Sequence, residues 1–422
     1  MLASLQKLLP FQTPESQRLA LLFAVVYFAQ GMWYLPNQTI TIVLKEHFGF
    51  SAGQVATLFS VAVIPWLLKP VYGLLTDFVP IFGYRRKSYF ILGSALASTS
   101  AVVVVVIGGQ AYLPLAIFFT SMGFGLAFTD VVTDAIMVEN GRAQGLTGAF
   151  QSVQWAAIYS ASILVGLVGG YLAETRSIRM AFTIAAVFPL ISCAMALTFV
   201  HDARARLDAV ALRTTWQAIK QAARSRTVWL IASFIFLFNF SPSFGPAFLY
   251  YQTDTLKFSQ QFIGVLSAIQ AVGYVLGAFL YAPLSRRLPL ARIVVVMIVI
   301  GAVSTLAYLL YRGPTSAVII DFTFGVLAMM TQLVFLDLAA KACPPRVEGT
   351  FFALLMSVYN FAQQGSQVVG GYLYDWIGFT RLVFISAVAT ALVLVMVPWL
   401  RIGELEARAR AEARAQAPAG AA

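Results

Sequence analysis

Twelve apolar runs, each near the length a helix needs to cross a hydrocarbon core, restrict the fold of this chain more than any motif does. At 1.5 Å rise per residue, about 20 apolar residues span the roughly 30 Å of hydrocarbon in a bilayer. The runs lie near 19–43, 52–75, 88–108, 112–138, 144–171, 178–200, 227–251, 260–284, 290–311, 315–340, 349–374 and 381–400. Hydrophobic residues make up 60% of the 422 and charged residues only 11%, against roughly one quarter charged in a soluble domain. The expectation is an all-α membrane protein with twelve transmembrane helices.

Polar stretches divide the chain into an N-terminal segment 1–18, a six-helix bundle 19–200, a basic loop 201–226, a second six-helix bundle 227–400 and a tail 401–422. Of the 28 Lys and Arg, only Lys45, Arg176, Arg179, Lys257, Arg312 and Arg381 fall on the side away from the termini. Lys69 lies inside a run, which leaves 21 on the side of the termini. Positive charge collects on the cytoplasmic side of membrane proteins, so both termini and the central loop are expected in the cytoplasm. The first run is long and lacks a cleavage motif, so it does not read as a signal peptide. With no transit peptide before residue 19, the charge bias suits a bacterial plasma membrane.

The net charge of +11 does not form one stripe, so no nucleic-acid partner is expected. The basic loop residues, Arg204 to Arg226, are suited instead to the anionic heads of the lipid bilayer. His47, His201, Cys193 and Cys343 are scattered, with no HExxH, CxxC or GxxxxGK[ST] spacing. No metal, cofactor, disulfide framework or ATP hydrolysis is expected, and no enzyme nucleophile with its base can be assembled.

The two halves repeat. Val168-Gly169-Gly170-Tyr171-Leu172 recurs as Val369-Gly370-Gly371-Tyr372-Leu373, and each is followed two residues on by an acid, Glu174 and Asp375. Asp134 to Arg142 answers to Asp337 to Arg346, and Phe50-Ser51 to Phe258-Ser259. Two six-helix pseudo-repeats in parallel are the architecture of major facilitator transporters, in which substrate binds near the midplane between the halves.

Charges inside the membrane cost about 2.5 kcal/mol or more and each requires a reason. Asp130 and Asp134 are spaced i, i+4 on one face of the fourth run. Two carboxylates that close repel, so a proton is readily held between them. They are candidates for proton coupling and substrate binding, and an ion-pair lock with Lys69 or Arg142 is the structural alternative. Lys69 either snorkels to the interface or forms a gating salt bridge. Asp77, Arg85, Arg86 and Arg142 complete the expected cytoplasmic gate. Asp337 and Lys341, also i, i+4, form a self-satisfied pair. Asp321 receives no role.

Mid-span amides and aromatics suggest a polar cavity. Trp33, Tyr34, Asn37 and Gln38 lie on the first run, and Gln151, Gln154 and Trp155 on the fifth. Asn239, Phe244, Tyr250 and Tyr251 lie on the seventh, and Tyr359, Asn360, Gln363 and Gln364 on the eleventh. Buried amides are unfavourable without a partner. Trp33, Asn37, Asp130, Asp134, Gln151, Trp155, Asn239, Tyr250, Tyr359, Asn360 and Gln363 are the candidate substrate contacts, with helix–helix glue and interfacial belts as the alternative. Asn239, Pro242, Gly245 and Pro246 predict a broken seventh helix.

Several segments carry a resemblance to a known family. They are YFAQG (Tyr27 to Gly31), PWLLKP followed by YGLLTD, PIFGYRRKSY and DVVTDAIMVENGR in the first half. In the second half they are PAFLYYQTD (Pro246 to Asp254) and EGTFFA (Glu348 to Ala353). In these the chain resembles the folate–biopterin transporter family of the major facilitator superfamily. The resemblance implies a secondary active transporter for folate- or pterin-like small molecules, and the acid pair suggests symport with protons. Another organic anion, a nucleoside-like metabolite or a non-transporting membrane scaffold are the alternatives.

Overall fold

The computed structural model describes residues 11, 13–108, 111–144, 146–200, 202, 204–205, 213–214, 216–217, 220, 224–342 and 348–407. Each of the twelve expected spans is helical, with breaks where the sequence forbids a continuous ladder. The first comprises α1 (Pro14–Gly31), a 3₁₀ turn (Met32–Tyr34) and α2 (Asn37–Phe48). Thr13 and Ser16 form a reciprocal capping box at the start of α1, and Pro36, which has no N–H to donate, separates the 3₁₀ turn from α2. The second span is α3 (Ala52–Leu67) and α4 (Lys69–Phe78), parted just before Pro70.

The first half continues through α5 (Lys87–Ile107), α6 (Tyr112–Gln144), α7 (Thr147–Glu174) and α8 (Ile178–Phe199). In the second half α9 (Arg226–Asn239) stops where the expected break falls. The chain resumes as α10 (Gly245–Tyr250) and a π-helical turn, Tyr251–Thr255. Then follow α11 (Gln260–Arg287), α12 (Leu290–Ala307), α13 (Pro314–Ala342), α14 (Glu348–Ile377) and α15 (Phe379–Leu392), which ends in a 3₁₀ stretch, Val393–Leu400. Among the described residues, ten spans are long and apolar enough to cross a membrane. The other two are the broken α9–α10 pair and α14, which carries Asn360, Gln363, Gln364 and Gln367.

Each half has its own apolar core. Leu58, Phe119, Met122 and Phe182 belong to one, and Phe234, Met297, Phe335 and Leu355 to the other. The halves meet along two helix pairs, α7 with α11 and α3 with α14. Glycine makes both approaches possible: a Cβ on Gly264 would lie 2.2 Å from the Gly166 carbonyl, and one on Gly371 2.9 Å from the Gly53 Cα. The repeated Val-Gly-Gly-Tyr-Leu motif therefore marks the two seams, with Gly170 at one and Gly371 at the other.

Candidate substrate cavity and its charged flanks

A cavity of about 360 Å³ opens where these seams converge. Trp33, Tyr34, Asn37 and Gln38 line it from the first half, and Gln252, Gln364 and Gln367 from the second, with Phe59 and Phe248 among the apolar walls. No Lys, Arg, Asp, Glu or His is in this lining. Two of its buried polar atoms, Trp33 Nε1 and Asn37 Oδ1, have no hydrogen-bond partner among the described residues. One is a donor and the other an acceptor, four positions apart on the broken first span. Trp33 is held by stacking on Phe119 at 5.0 Å between ring centroids and against Trp66 at 4.7 Å.

Beside the cavity lies a buried charge cluster. Lys69 pairs with Asp130, which is 1% exposed. Tyr27 donates its hydroxyl to Asp134, and Gln154 Nε2 donates to the same carboxyl oxygen at 3.4 Å. Tyr34, on the cavity wall, lies within the field of both Lys69 and Asp130, so the cluster and the cavity are electrically connected. The i, i+4 acids thus take different partners: a cation for Asp130, and neutral donors for Asp134.

Towards the face that carries the termini, Arg86 joins Asp77 and Glu139, each at 2.6 Å, and donates to Thr76 Oγ1 at 3.0 Å. Burial disfavours its charge, but the Glu139 hydrogen bond and the two carboxylates outweigh that and raise the guanidinium above its ordinary value. Asp202 accepts the backbone N–H groups of Arg86 at 2.6 Å and Lys87 at 3.1 Å, where α5 begins. Arg85 is exposed and, among the described residues, reaches the Asp77 carbonyl at 3.4 Å. The Arg142 side chain lies outside the described residues. The second half holds the pair Lys341–Asp337 at 2.8 Å.

On the opposite face, polar contacts cross between the halves. Glu174, closing α7, accepts the backbone N–H groups of Gln260 at 2.6 Å and Gln261 at 3.3 Å at the start of α11. Asp375, late in α14, does the same for Ala52 at 3.2 Å and Gly53 at 3.0 Å at the start of α3. Lys45 pairs with Asp254, Tyr250 donates to the Phe50 carbonyl, and Gln38 donates to the Gln260 carbonyl at 2.8 Å. Among the described residues, the ion pairs of the terminal face each stay within one half, whereas these bridges between the halves gather on the face away from the termini and form the seal on that side of the cavity.

The remaining candidates take other places. Gln151 is exposed, and Gln154, one turn on, reaches Asp134 instead. Trp155 stacks on Tyr159, which meets Tyr274 across the halves at 5.5 Å. Asn239 bonds the Ile235 carbonyl within its own helix at 2.8 Å. Tyr250 belongs to the seal, with the Lys45 ammonium 4.7 Å from its ring centre. Gln363 hydrogen-bonds Tyr359, and neither these two nor Asn360 is among the cavity-lining residues. Tyr27, Glu139, Asp202, Gln252 and Gln367 complete the arrangement without having been singled out for it. The groups that Tyr27, Glu139, Asp202 and Gln252 meet lie on other segments of the chain, which no spacing within one run reveals.

The same helices in the same order occur in solved transporters. A POT family transporter crystallised with 5-aminolevulinic acid aligns with a TM-score of 0.75 at 12% identity, covering 93% of this chain and 99% of that one. The inward-open xylose transporter XylE from E. coli aligns at 0.67 and 15% identity, covering 93% and 99%. The fold is the major facilitator fold. At the level of sequence, a model described as the BT1 family matches residues 30–408. The chain belongs to the BT1 family. Within reach of it is a folate-biopterin transporter of Synechocystis sp., 33% identical over 90% of this chain and 79% of the relative. A probable folate-biopterin transporter 4 of Arabidopsis thaliana is 25% identical over 85% and 88%, and folate transporter 1 of Plasmodium falciparum is 23% identical over 80% and 69%. This BT1 member is therefore a multi-pass membrane protein with the fold and the relatives of transporters, and the cavity, the seal and, apart from Tyr27, the buried charge cluster lie within the matched residues.

Proposed function

We propose that this protein carries folate- or pterin-like solutes across the membrane by alternating access, in symport with protons, with both termini in the cytoplasm. The observation that carries this reading is the inter-half cavity, sealed on one face, with an unpaired donor on Trp33 and an unpaired acceptor on Asn37. A pterin ring is flat and displays alternating donors and acceptors along one edge. The exposed ring of Tyr34 and the wall amides satisfy both needs. The lining carries no cation for a glutamate tail, so the ring is the part recognised there. Asp134, bound only by neutral donors, is the proton carrier, and Lys69–Asp130 is its electrostatic neighbour. Arg86, Asp77 and Glu139 belong to the cytoplasmic gate.

The test is uptake of radiolabelled folic acid and of biopterin by cells expressing the chain, with and without an imposed pH gradient. Gradient-driven accumulation that Asp134→Asn abolishes, with the variant still in the membrane, supports the reading. Wild-type protein that accumulates neither solute contradicts the substrate assignment.

A further inference from the structure

One buried carboxyl lies outside the machinery described so far. Asp321, in the second turn of α13, is 4% exposed. Among the described residues its one hydrogen-bond partner is neutral: Tyr311 donates its hydroxyl to Asp321 Oδ2 at 2.8 Å. Tyr311 is itself 0% exposed and accepts a hydrogen bond from Gln252 Nε2 at 2.7 Å. Gln252 also lines the substrate cavity. A continuous chain of hydrogen bonds thus runs from the cavity wall through Gln252 and Tyr311 to a buried carboxyl.

The groups facing Asp321 are phenols. Tyr274 comes from α11, and Tyr308 and Tyr311 come from the turn after α12. The other elements packed against α13 are α9 and α14. Among the described residues, neither these nor α11 and α12 extend a cation to Asp321 in an ion pair. A carboxylate withdrawn from water with no cation beside it is strongly disfavoured, so a proton is its natural counterpart. Asp130 and Asp134 are in the half of the membrane nearer the termini. Asp321, seven residues into a helix that starts at the sealed face, is in the other half.

We propose that Asp321, Tyr311 and Gln252 form a second proton site, whose protonation state is read in the cavity as the hydrogen-bonding sense of Gln252. With Asp321 ionised, Tyr311 donates to the carboxylate, the Gln252 amide NH₂ donates to Tyr311, and the Gln252 carbonyl is left to the cavity. When a proton adds to Asp321, the new O–H donates to the Tyr311 oxygen. The Tyr311 O–H then turns towards Gln252, the amide reverses to accept it, and its NH₂ faces the cavity. One O–H bond forms, none breaks within the protein, and the cavity exchanges an acceptor for a donor.

The cavity readout rests on the pterin reading above, whereas the proton site itself does not. The closing experiment therefore has two arms on the purified full chain in lipid. In the first, the infrared C=O stretch of protonated carboxyls is followed across pH without substrate. The wild type is expected to show a band that disappears as pH rises. That band should be absent from Asp321→Asn, and present but moved to higher frequency in Tyr311→Phe, whose carboxyl has lost its phenol. In the second arm, biopterin binding is followed by quenching of tryptophan fluorescence. The affinity is expected to change about tenfold across the same titration, the scale of one hydrogen bond gained or lost, and by less than about twofold in Tyr311→Phe. Identical carboxyl bands in the wild type and Asp321→Asn, or an Asp321 band that does not titrate, would overturn the proton site. An unaltered pH dependence in Tyr311→Phe would overturn the relay. A titrating Asp321 band in protein that binds no biopterin would uphold the proton site and defeat the pterin reading alone.

Discussion

Glu174 accepts the backbone N–H of Gln260 at 2.6 Å, so a carboxylate ending α7 in one half caps the first turn of α11 in the other. Asp375 and Gly53 repeat the relationship at the second seam, at 3.0 Å. Unpaired N–H groups and the positive end of a helix dipole favour an anion there. Both carboxylates are exposed, so each bond is worth about 1 kcal/mol, and distant sites add. Glu174→Gln and Asp375→Asn should each shift the sealed-to-open equilibrium roughly fivefold, and the double variant about 25-fold. A cysteine at cavity residue Ser267, in a background with Cys193 and Cys343 replaced, reports this. Its labelling by an impermeant maleimide from the face opposite the termini should rise in that order.

A glycine at a seam and one inside a half should behave differently on substitution. A Cβ on Gly264 meets Gly166 of the other half at 2.2 Å, whereas one on Gly370 meets the Ser243 carbonyl of its own half at 1.8 Å. Gly264→Ala should leave the thermal melting temperature nearly unchanged while raising labelling at position 267, because the clash is relieved by parting the halves. Gly370→Ala has no such escape and should lower the melting temperature and the yield.

Lys69 and Asp130 stabilise each other within a buried cluster. Removing one partner leaves an uncompensated charge and costs about 3–5 kcal/mol, whereas removing both costs much less. Asp130→Asn and Lys69→Met should each lower the melting temperature sharply, and the double variant should recover most of the loss. Additive losses would show that the pair does not couple.

The Arg86 cluster yields a prediction about pH. Because its pKa is raised in the folded protein, its contribution is fully present below the ordinary arginine value and is lost only as pH rises through the still higher folded value. Arg86→Gln should therefore destabilise by about 1–3 kcal/mol, equally at mildly acidic and mildly alkaline pH. Arg86→Lys should not restore stability, since one ammonium cannot serve Asp77, Glu139 and Thr76 in the same geometry. A loss that vanishes at mildly alkaline pH would contradict this assignment.

Much of the architecture could be read from the chain because it is written in local pattern. Apolar length marks the spans, the Asn239–Pro246 segment marks the broken seventh helix, and the Val-Gly-Gly-Tyr-Leu repeat marks both seams. The repeat also contained Glu174 and Asp375, but their service as caps depends on the first turns of α11 and α3, which are far away in sequence. For the same reason, Tyr27 lay inside a recognised segment without pointing to Asp134. Gln151 and Gln154 are three residues apart on one helix, and only packing shows that Gln154 turns to the carboxyl. Asp321 had no partner within its own run, since Tyr311 reaches it from another element and Gln252 in turn reaches Tyr311 from a third. Periodicity reports which residues share a helix face, whereas a polar network is decided by which helices meet.

Symport requires that solute and proton move together through this cavity. The most direct measurement is proton movement in proteoliposomes holding the purified full chain and an internal pH dye, with biopterin or folic acid added outside and no imposed gradient. Solute addition should acidify the lumen in the wild type and fail to do so in Asp134→Asn, which still binds the solute. Solute entry with no accompanying proton, or proton entry undiminished in Asp134→Asn, would contradict this expectation.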